Sequence, residues 1–481
     1  MTFISFEFLL FITGCLVIYF AISSRWKWLW LLVCSYFFYG YHNLIYVPLL
    51  MFSTVVDYWI GLKIGSTEKP ILRKRWLYLS IFVNLSLLAF FKYFNFFNGE
   101  FQGLAGYLGM RVSSFQHNYL LPLGISFYTF QTLGYSIDVY RKYIKPEKHI
   151  GKYALYVSFF PQLIAGPIER GRKLLPQLSL QVSFDYQRTV EGLQLILWGL
   201  FKKMVIADRL GLYVNQIFDI SNNHQGPAVI FGAFLFGLQI LFDFAAYSEI
   251  AIGLARILGV KLSRNFGNVS FFTSPVHMWN NWHITLTSWF RDYVYFPLTR
   301  SNKNKWASHS ALIITFLITG LWHGASWGFI IWGGLHGIYL AFDHITAQSR
   351  NQLYTSIGLE KNSRVRRLIG ILVFLPFNIL TGFFFRASST SNAFTLIERS
   401  LDWSSVYLYI RTVGAAELLL IISLLIGVEF VNNKLGKRQI HHFLVEKPTH
   451  VRWLFYFVLT EAILLLRLSE VEKSPFIYFD F

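Results

Sequence analysis

Charge and cysteine are what this chain has least of. Only 14% of its 481 residues are Asp, Glu, Lys or Arg, against about 25% in an ordinary soluble domain, so a normal water-facing surface cannot be built from it. Its two cysteines, Cys15 and Cys34, both lie in apolar segments. They exclude a disulfide framework and a cysteine-rich metal site, and both read as small core residues. No basic residue precedes the first apolar run, residues 3–22, which therefore lacks the positive n-region of a cleaved signal peptide and reads as a retained span. Gly-x-x-x-x-Gly-Lys, Gly-x-Gly-x-x-Gly and His-Glu-x-x-His are all absent, so no nucleotide-driven pump is indicated. There is no linker, no low-complexity tract and no pair of similar halves, and the last absence counts against a carrier built from repeats.

What is abundant is apolar and aromatic. Phe (49), Tyr (27) and Trp (15) together with aliphatic residues bring the hydrophobic share to 54%. That composition predicts an all-α, polytopic membrane protein, with residues 1–481 forming one integral membrane domain. Allowing ~20 residues per crossing gives roughly ten to twelve membrane segments. Those over 190–210, 228–258 and 311–342 are interrupted by Gly, Lys or His, and some are expected to be re-entrant. Spans are also expected at about 28–41, 44–62, 76–97 and 120–140, and 98–119 is expected to lie at the interface.

The net charge of +18 does not point to nucleic acid. Lys and Arg gather in the loops 23–27, 63–75 and 141–152, as they do on the cytoplasmic side of membrane proteins. The same alternation places 350–367 and 434–452 inside and both termini on the periplasmic side. Part of that charge is suited to anionic partners such as coenzyme phosphates or an acidic carrier protein.

Two stretches carry candidate chemistry. Within 311–342, Thr319–His336 reads Thr-Gly-Leu-Trp-His-Gly-Ala-Ser-Trp-Gly-Phe-Ile-Ile-Trp-Gly-Gly-Leu-His. An ionisable group in hydrocarbon is costly and is a functional hypothesis by default, which singles out His323 and His336. Gly320, Gly324 and Gly328, and then Gly333 and Gly337, repeat at a spacing that lets another helix backbone approach. Gly324-Ala-Ser326-Trp-Gly328 matches Gly-x-Ser-x-Gly, but that motif works on a strand-to-helix turn and no sheet is expected here. In the second stretch, Ser274-Pro275 is a helix start and Pro297 a stop. Between them Trp279, Trp282, His283, Leu286, Trp289, Phe290 and Tyr293 fall on one helical face. A protonatable group in such a stripe needs a partner or a job.

Three further features stand out. Pro161 and Pro167 break any helix over 159–172, and irregular backbone at membrane depth survives only when buried or lining a cavity. Gln131 and Asp138, seven apart, share a helix face and would line a polar path or serve structure. His441-His442, in a basic loop, reads as solvated.

Several stretches together resemble the membrane-bound O-acyltransferase family, in particular its bacterial alginate O-acetyltransferase-like subgroup. They are Trp279-Asn280-Asn-Trp282-His283-Ile-Thr-Leu-Thr-Ser-Trp289-Phe-Arg291-Asp292-Tyr, Gly320-Leu-Trp322-His323-Gly324-Ala-Ser-Trp327, Phe159-Phe-Pro161-Gln162-Leu-Ile-Ala-Gly166-Pro167-Ile, Gly124-Ile-Ser-Phe-Tyr-Thr-Phe-Gln131 and the ending Phe476-Ile-Tyr-Phe-Asp480-Phe. The family's invariant histidine falls on His323 and the subgroup's second histidine on His283. The resemblance implies helices around a central, water-accessible tunnel, with residues 120–400 as the acyltransferase core. It also implies movement of an acyl group, usually acetyl, from a cytoplasmic thioester such as acetyl-CoA to hydroxyls of an exported polysaccharide or peptidoglycan. A periplasmic acetyltransferase partner often goes with this subgroup. No bound cofactor, metal or nucleic acid is implied, and the location is a bacterial inner membrane.

The residues suit that chemistry. Acyl transfer to an alcohol needs a base for the hydroxyl proton, and imidazole fits near neutral pH. His323 is the expected base, in a tunnel walled by Trp279, Asn280, Trp282, Trp322, Trp327 and Gln131. His283 would position the acyl carbonyl or hold His323. The competing readings are D-alanyl transfer to teichoic acid from a carrier protein, a glycan or lipid transporter without chemistry, and a scaffold that recruits a periplasmic enzyme.

Overall fold

The computed structural model describes residues 1–110, 120–268, 271–300, 304–360, 363–404, 415–436, 438–467 and 476–477. Within them the secondary structure is helical. Five helical stretches are long and apolar enough to cross a membrane: Leu44–Ser66, Pro70–Tyr107, Pro227–Ile257, Arg364–Arg386 and Thr449–Leu466. Part of the expected interfacial stretch, 111–119, lies outside the described residues, as does Asp480 of the ending.

The chain packs as two compact units, 1–196 with 250–263, and 197–249 with 264–481. In the first unit, helix Ile125–Tyr140 forms the core, with fourteen of its sixteen residues buried. A buried polar network ties it to two neighbours. Thr132 Oγ1 donates to Asn84 Oδ1 at 3.0 Å, Asn84 Nδ2 to Asp57 Oδ2 at 2.7 Å, and Ser80 Oγ to Asp57 Oδ1 at 2.6 Å. Where lipid tails are as apolar as the side chains, such interhelical bonds and close packing hold helices together. Cys15 and Cys34 are buried core residues of this unit.

The segment after Ser158 breaks as expected, and it is buried throughout from Phe159 to Glu169. Pro161, however, does not end a helix. It sits in the first turn of the short helix Phe160–Leu163, where its missing N–H costs nothing.

Several expectations for the interrupted runs need correcting. The run 228–258 is one uninterrupted helix, Pro227–Ile257; its internal glycines each cost only about 1 kcal/mol. The run 190–210 also stays helical, through a π-helical segment at Lys202–Ala207. Its lysines are buried and neutralised. Lys202 Nζ lies 2.5 Å from Glu249, and Lys203 Nζ lies 2.8 Å from Asp208 and 2.6 Å from Asp243. The run 311–342 is a helical hairpin, Lys305–His323 followed by Trp327–Ser356.

The expected glycine-mediated approach occurs between the two arms of that hairpin. A Cβ on Gly320 would lie 2.2 Å from Phe329 O, and one on Gly333 2.2 Å from Phe316 O. Gly328 lets the Arg364–Arg386 helix in, at 2.7 Å to Phe384 O. His441 is also not solvated. In the short helix Ile440–Val445 it is fully buried while its neighbour His442 is exposed, because adjacent residues of a helix face different sides.

Candidate active site

The 275–297 stretch is not one helix. Ser274 Oγ accepts from His277 N at 3.1 Å and starts Pro275–Trp279 as expected. Helical geometry then fails, and His283 takes a left-handed conformation, φ 41°, ψ 51°, before Ile284–Phe290 resumes. The helix then continues through Pro297 to Arg300. A histidine in that conformation is uncommon, and strain of order 1–3 kcal/mol must be supported by its surroundings.

The support is a pairing of 265–267 with 281–284. Ile284 N donates to Asn265 O and Gly267 N to Asn281 O, each at 2.8 Å. Gly267 gives the Asn281 side chain its room, since a Cβ there would lie 2.0 Å from Asn281 Oδ1 and force that side chain to shift. Asn265 Oδ1 accepts from Thr285 Oγ1 at 2.9 Å and from Thr285 N at 3.3 Å, which fixes it as the amide oxygen. His283 Nδ1, 3.1 Å from that oxygen, is therefore the protonated nitrogen when the ring is neutral, and Nε2 carries the lone pair.

His323 ends the Lys305–His323 helix. Gly324 and Ser326 leave helical geometry, and Trp327 begins the return arm. The His323 ring lies 4.9 Å from Trp322, 4.9 Å from Trp332 and 5.4 Å from Phe385. The His283 ring lies 6.1 Å from Trp322 and 4.7 Å from Phe244. One indole, Trp322, thus stands against both expected catalytic imidazoles. His336 completes the cluster, 4.8 Å from Trp332, 5.3 Å from Trp279 and 5.9 Å from Tyr339. His283 and His336 are 0% exposed and His323 is 3% exposed, with both of its ring nitrogens buried, so a hydroxyl acceptor reaches any of the three only after local rearrangement.

The other expected residues are distributed unevenly. Trp279 and Asn280 line a largely apolar cavity of about 260 Å³, together with Thr315 and Thr319 of the helix that ends at His323. Trp282 is buried against Phe266 at 5.3 Å, and Trp322 is buried between the imidazoles. Trp327 is half exposed at the start of its helix. Gln131 belongs to the first unit, where Nε2 donates to Tyr156 O at 2.5 Å and Tyr156 Oη returns a bond to Gln131 O at 3.0 Å. That exchange holds the Ile125–Tyr140 helix to Ile150–Ser158.

Three residues gave no signal in the sequence. Asn265 lies outside any periodic pattern. Trp332 and Phe385 read as ordinary apolar positions, yet both face His323. The ending was noticed as a motif, and Phe476 and Ile477 now have a place: Asp243 accepts from Ile477 N at 2.8 Å, and the Phe476 ring lies 5.7 Å from Phe244, which backs His283.

Residues 31–380 match the profile of MBOAT, the membrane-bound O-acyltransferase family. The chain belongs to the membrane-bound O-acyltransferase family. This family member is 37% identical over 335 residues to a probable alginate O-acetylase of Azotobacter vinelandii, covering 69% of this chain and 66% of that protein. It is 33% identical over 418 residues to a peptidoglycan O-acetyltransferase of Helicobacter pylori, covering 81% and 77%. To a teichoic acid D-alanyltransferase of Streptococcus thermophilus it is 28% identical over 287 residues, covering 54% and 68%. The chain spans about two thirds of the length of the alginate O-acetylases it matches. No group of three or more His, Cys, Asp or Glu suited to a metal ion occurs among the described residues.

Proposed function

We propose that this membrane-bound O-acyltransferase moves an acetyl group from a cytoplasmic thioester, acetyl-CoA or another acyl thioester, to hydroxyls of an exported polysaccharide or of peptidoglycan. The acceptor oxygen attacks the thioester carbonyl, His323 takes the hydroxyl proton, and the thiolate leaves and is reprotonated as the ester forms. A general base of this kind contributes roughly 10²–10⁴-fold in rate. The observation that carries the reading is the pair of imidazoles packed against Trp322 in a family member.

His283 has a narrower role. Its Nδ1–H faces Asn265, so the neutral ring offers a lone pair and not a donor. It fits orienting the acceptor hydroxyl, or an N–H of His323, better than polarising the acyl carbonyl, which calls for a donor. Trp279, Asn280, Trp282 and Trp322 would wall the approach, with 120–400 as the catalytic core. The membrane would be the bacterial inner membrane with both termini periplasmic, and a periplasmic acetyltransferase would relay the group where transfer is not direct.

The relatives named for alginate and peptidoglycan acetylation favour acetyl over D-alanyl, since the D-alanyltransferase shares less of its sequence with this chain. The test is to remove the gene and identify the esters lost from exported polymers by mass spectrometry. Loss of acetyl esters from one glycan supports the reading. Loss of D-alanyl esters, or no ester change, contradicts it.

A further inference from the structure

The second unit contains a cavity of about 870 Å³ whose lining includes none of the residues proposed for acyl transfer. Two helices form most of it, Trp327–Ser356 and Arg364–Arg386. Its lining changes character along both. On the first helix, Ile338 and Phe342 give way to Arg350 and Tyr354. On the second, Arg366 and Arg367 stand at the start and Val373 and Phe377 follow. From Ile338 to Tyr354 is roughly 24 Å at 1.5 Å per residue, so the cavity is long, with a cationic end and an apolar end.

At the cationic end the charges do not cancel. Arg350 is paired with Asp343 at 2.5 Å and Arg367 lies 3.6 Å from Glu429. Arg366 bonds the Asn351 amide and lies 4.5 Å over the Tyr354 ring; neither contact neutralises it. Those contacts fix the guanidinium plane, which favours bidentate recognition of a phosphate. At the apolar end the rim is open sideways. Ile338, Phe342, Val373 and Phe377 are 44% to 63% exposed, and two of them lie on a helix long and apolar enough to cross a membrane, so the opening suits acyl chains better than water.

We infer that this cavity is a binding site for an anionic phospholipid, with the phosphate headgroup on Arg366 and Arg367 and an acyl chain laid along Ile338, Phe342, Val373 and Phe377. A soluble coenzyme would satisfy the arginines but leave the sideways apolar rim with no partner. Basic pockets between membrane helices hold anionic headgroups for this reason. The lipid would clamp the helix that carries His336 to its neighbour.

The full-length protein, purified in detergent and exchanged into nanodiscs of mixed phosphatidylglycerol and phosphatidylcholine, tests this by native mass spectrometry of retained lipid. Phosphatidylglycerol is expected to be retained preferentially, and excess coenzyme A or inorganic phosphate to leave it in place. The paired substitution Arg366→Gln and Arg367→Gln is expected to lower its retention at least roughly tenfold, since charge-assisted bonds of this kind are the strong ones. Equal retention of the two lipids, displacement by coenzyme A, or unchanged retention in the double variant overturns the assignment. The wild-type comparisons decide the matter even if the double variant does not fold.

Discussion

Trp332 touches both His323 and His336, and the two imidazoles are expected to respond oppositely to replacement. Neither ring nitrogen of His336 has a hydrogen-bond partner among the described residues, and leaving a buried polar group unsatisfied costs about 1–3 kcal/mol. His336→Leu should therefore hold or raise the thermal midpoint and change transfer less than about threefold, well below a general-base effect. A loss of a hundredfold in that variant would move the catalytic role to His336. For His283 the informative change lies one residue away in space. Asn265→Ala frees Nδ1 and the left-handed turn together, so it should lower transfer by roughly tenfold or more, about the worth of one buried hydrogen bond. Asn265→Asp, which keeps an acceptor oxygen, should recover part of the loss. If Asn265→Ala transfers normally, the orientation of His283 is irrelevant to the reaction. His323 and His283 were legible as candidates because histidine is out of place in apolar sequence. Asn265 was not, because its value arises only when 265–267 folds back onto 281–284.

Among the elements, the hairpin Lys305–His323 and Trp327–Ser356 positions the proposed base, and its closeness depends on glycine. Gly333→Ala would push a methyl to 2.2 Å from Phe316 O. Overpacking of this kind costs typically ~1–3 kcal/mol, read as a lower thermal midpoint with activity falling alongside. Gly99→Ala, in a helix where an added Cβ meets nothing within 4 Å, should hold or raise stability, helped by up to about 1 kcal/mol of helix propensity. Equal effects at the two positions would show that the hairpin is not tightly packed there. The glycine spacing was readable in the sequence; the turn at Gly324–Ser326 was not, because an apolar run has no periodic feature that marks a reversal. The same limit hid the break at His283. The aromatic positions of 279–293 keep helical spacing straight through it, and a left-handed histidine has no signature of its own. His283→Asn tests whether that conformation or the imidazole matters, since asparagine tolerates it. Folding should survive and transfer should fall.

At the scale of the molecule, composition alone identified helices in a membrane, and the family match rests on motifs visible in the chain. The orientation expected from loop charge predicts that cysteines placed at Ser66 and Ser356 react with a membrane-impermeant reagent only after the cells are opened. Labelling of either in intact cells would reverse the topology. Packing was less readable. Lys202 and Lys203 suggested a broken span but sit in ion pairs with Asp208, five residues on from Lys203, and with Glu249 and Asp243, at least forty residues away in sequence. The central proposal for the molecule is an imidazole that takes a proton from a hydroxyl at the acyl-transfer centre. The direct measurement is turnover of radiolabelled acetyl-CoA by the purified full-length protein with its glycan acceptor, wild type against His323→Gln, at matched amounts of folded protein. A drop of at least roughly a hundredfold is the predicted result, and a variant that transfers at near wild-type rate contradicts the account.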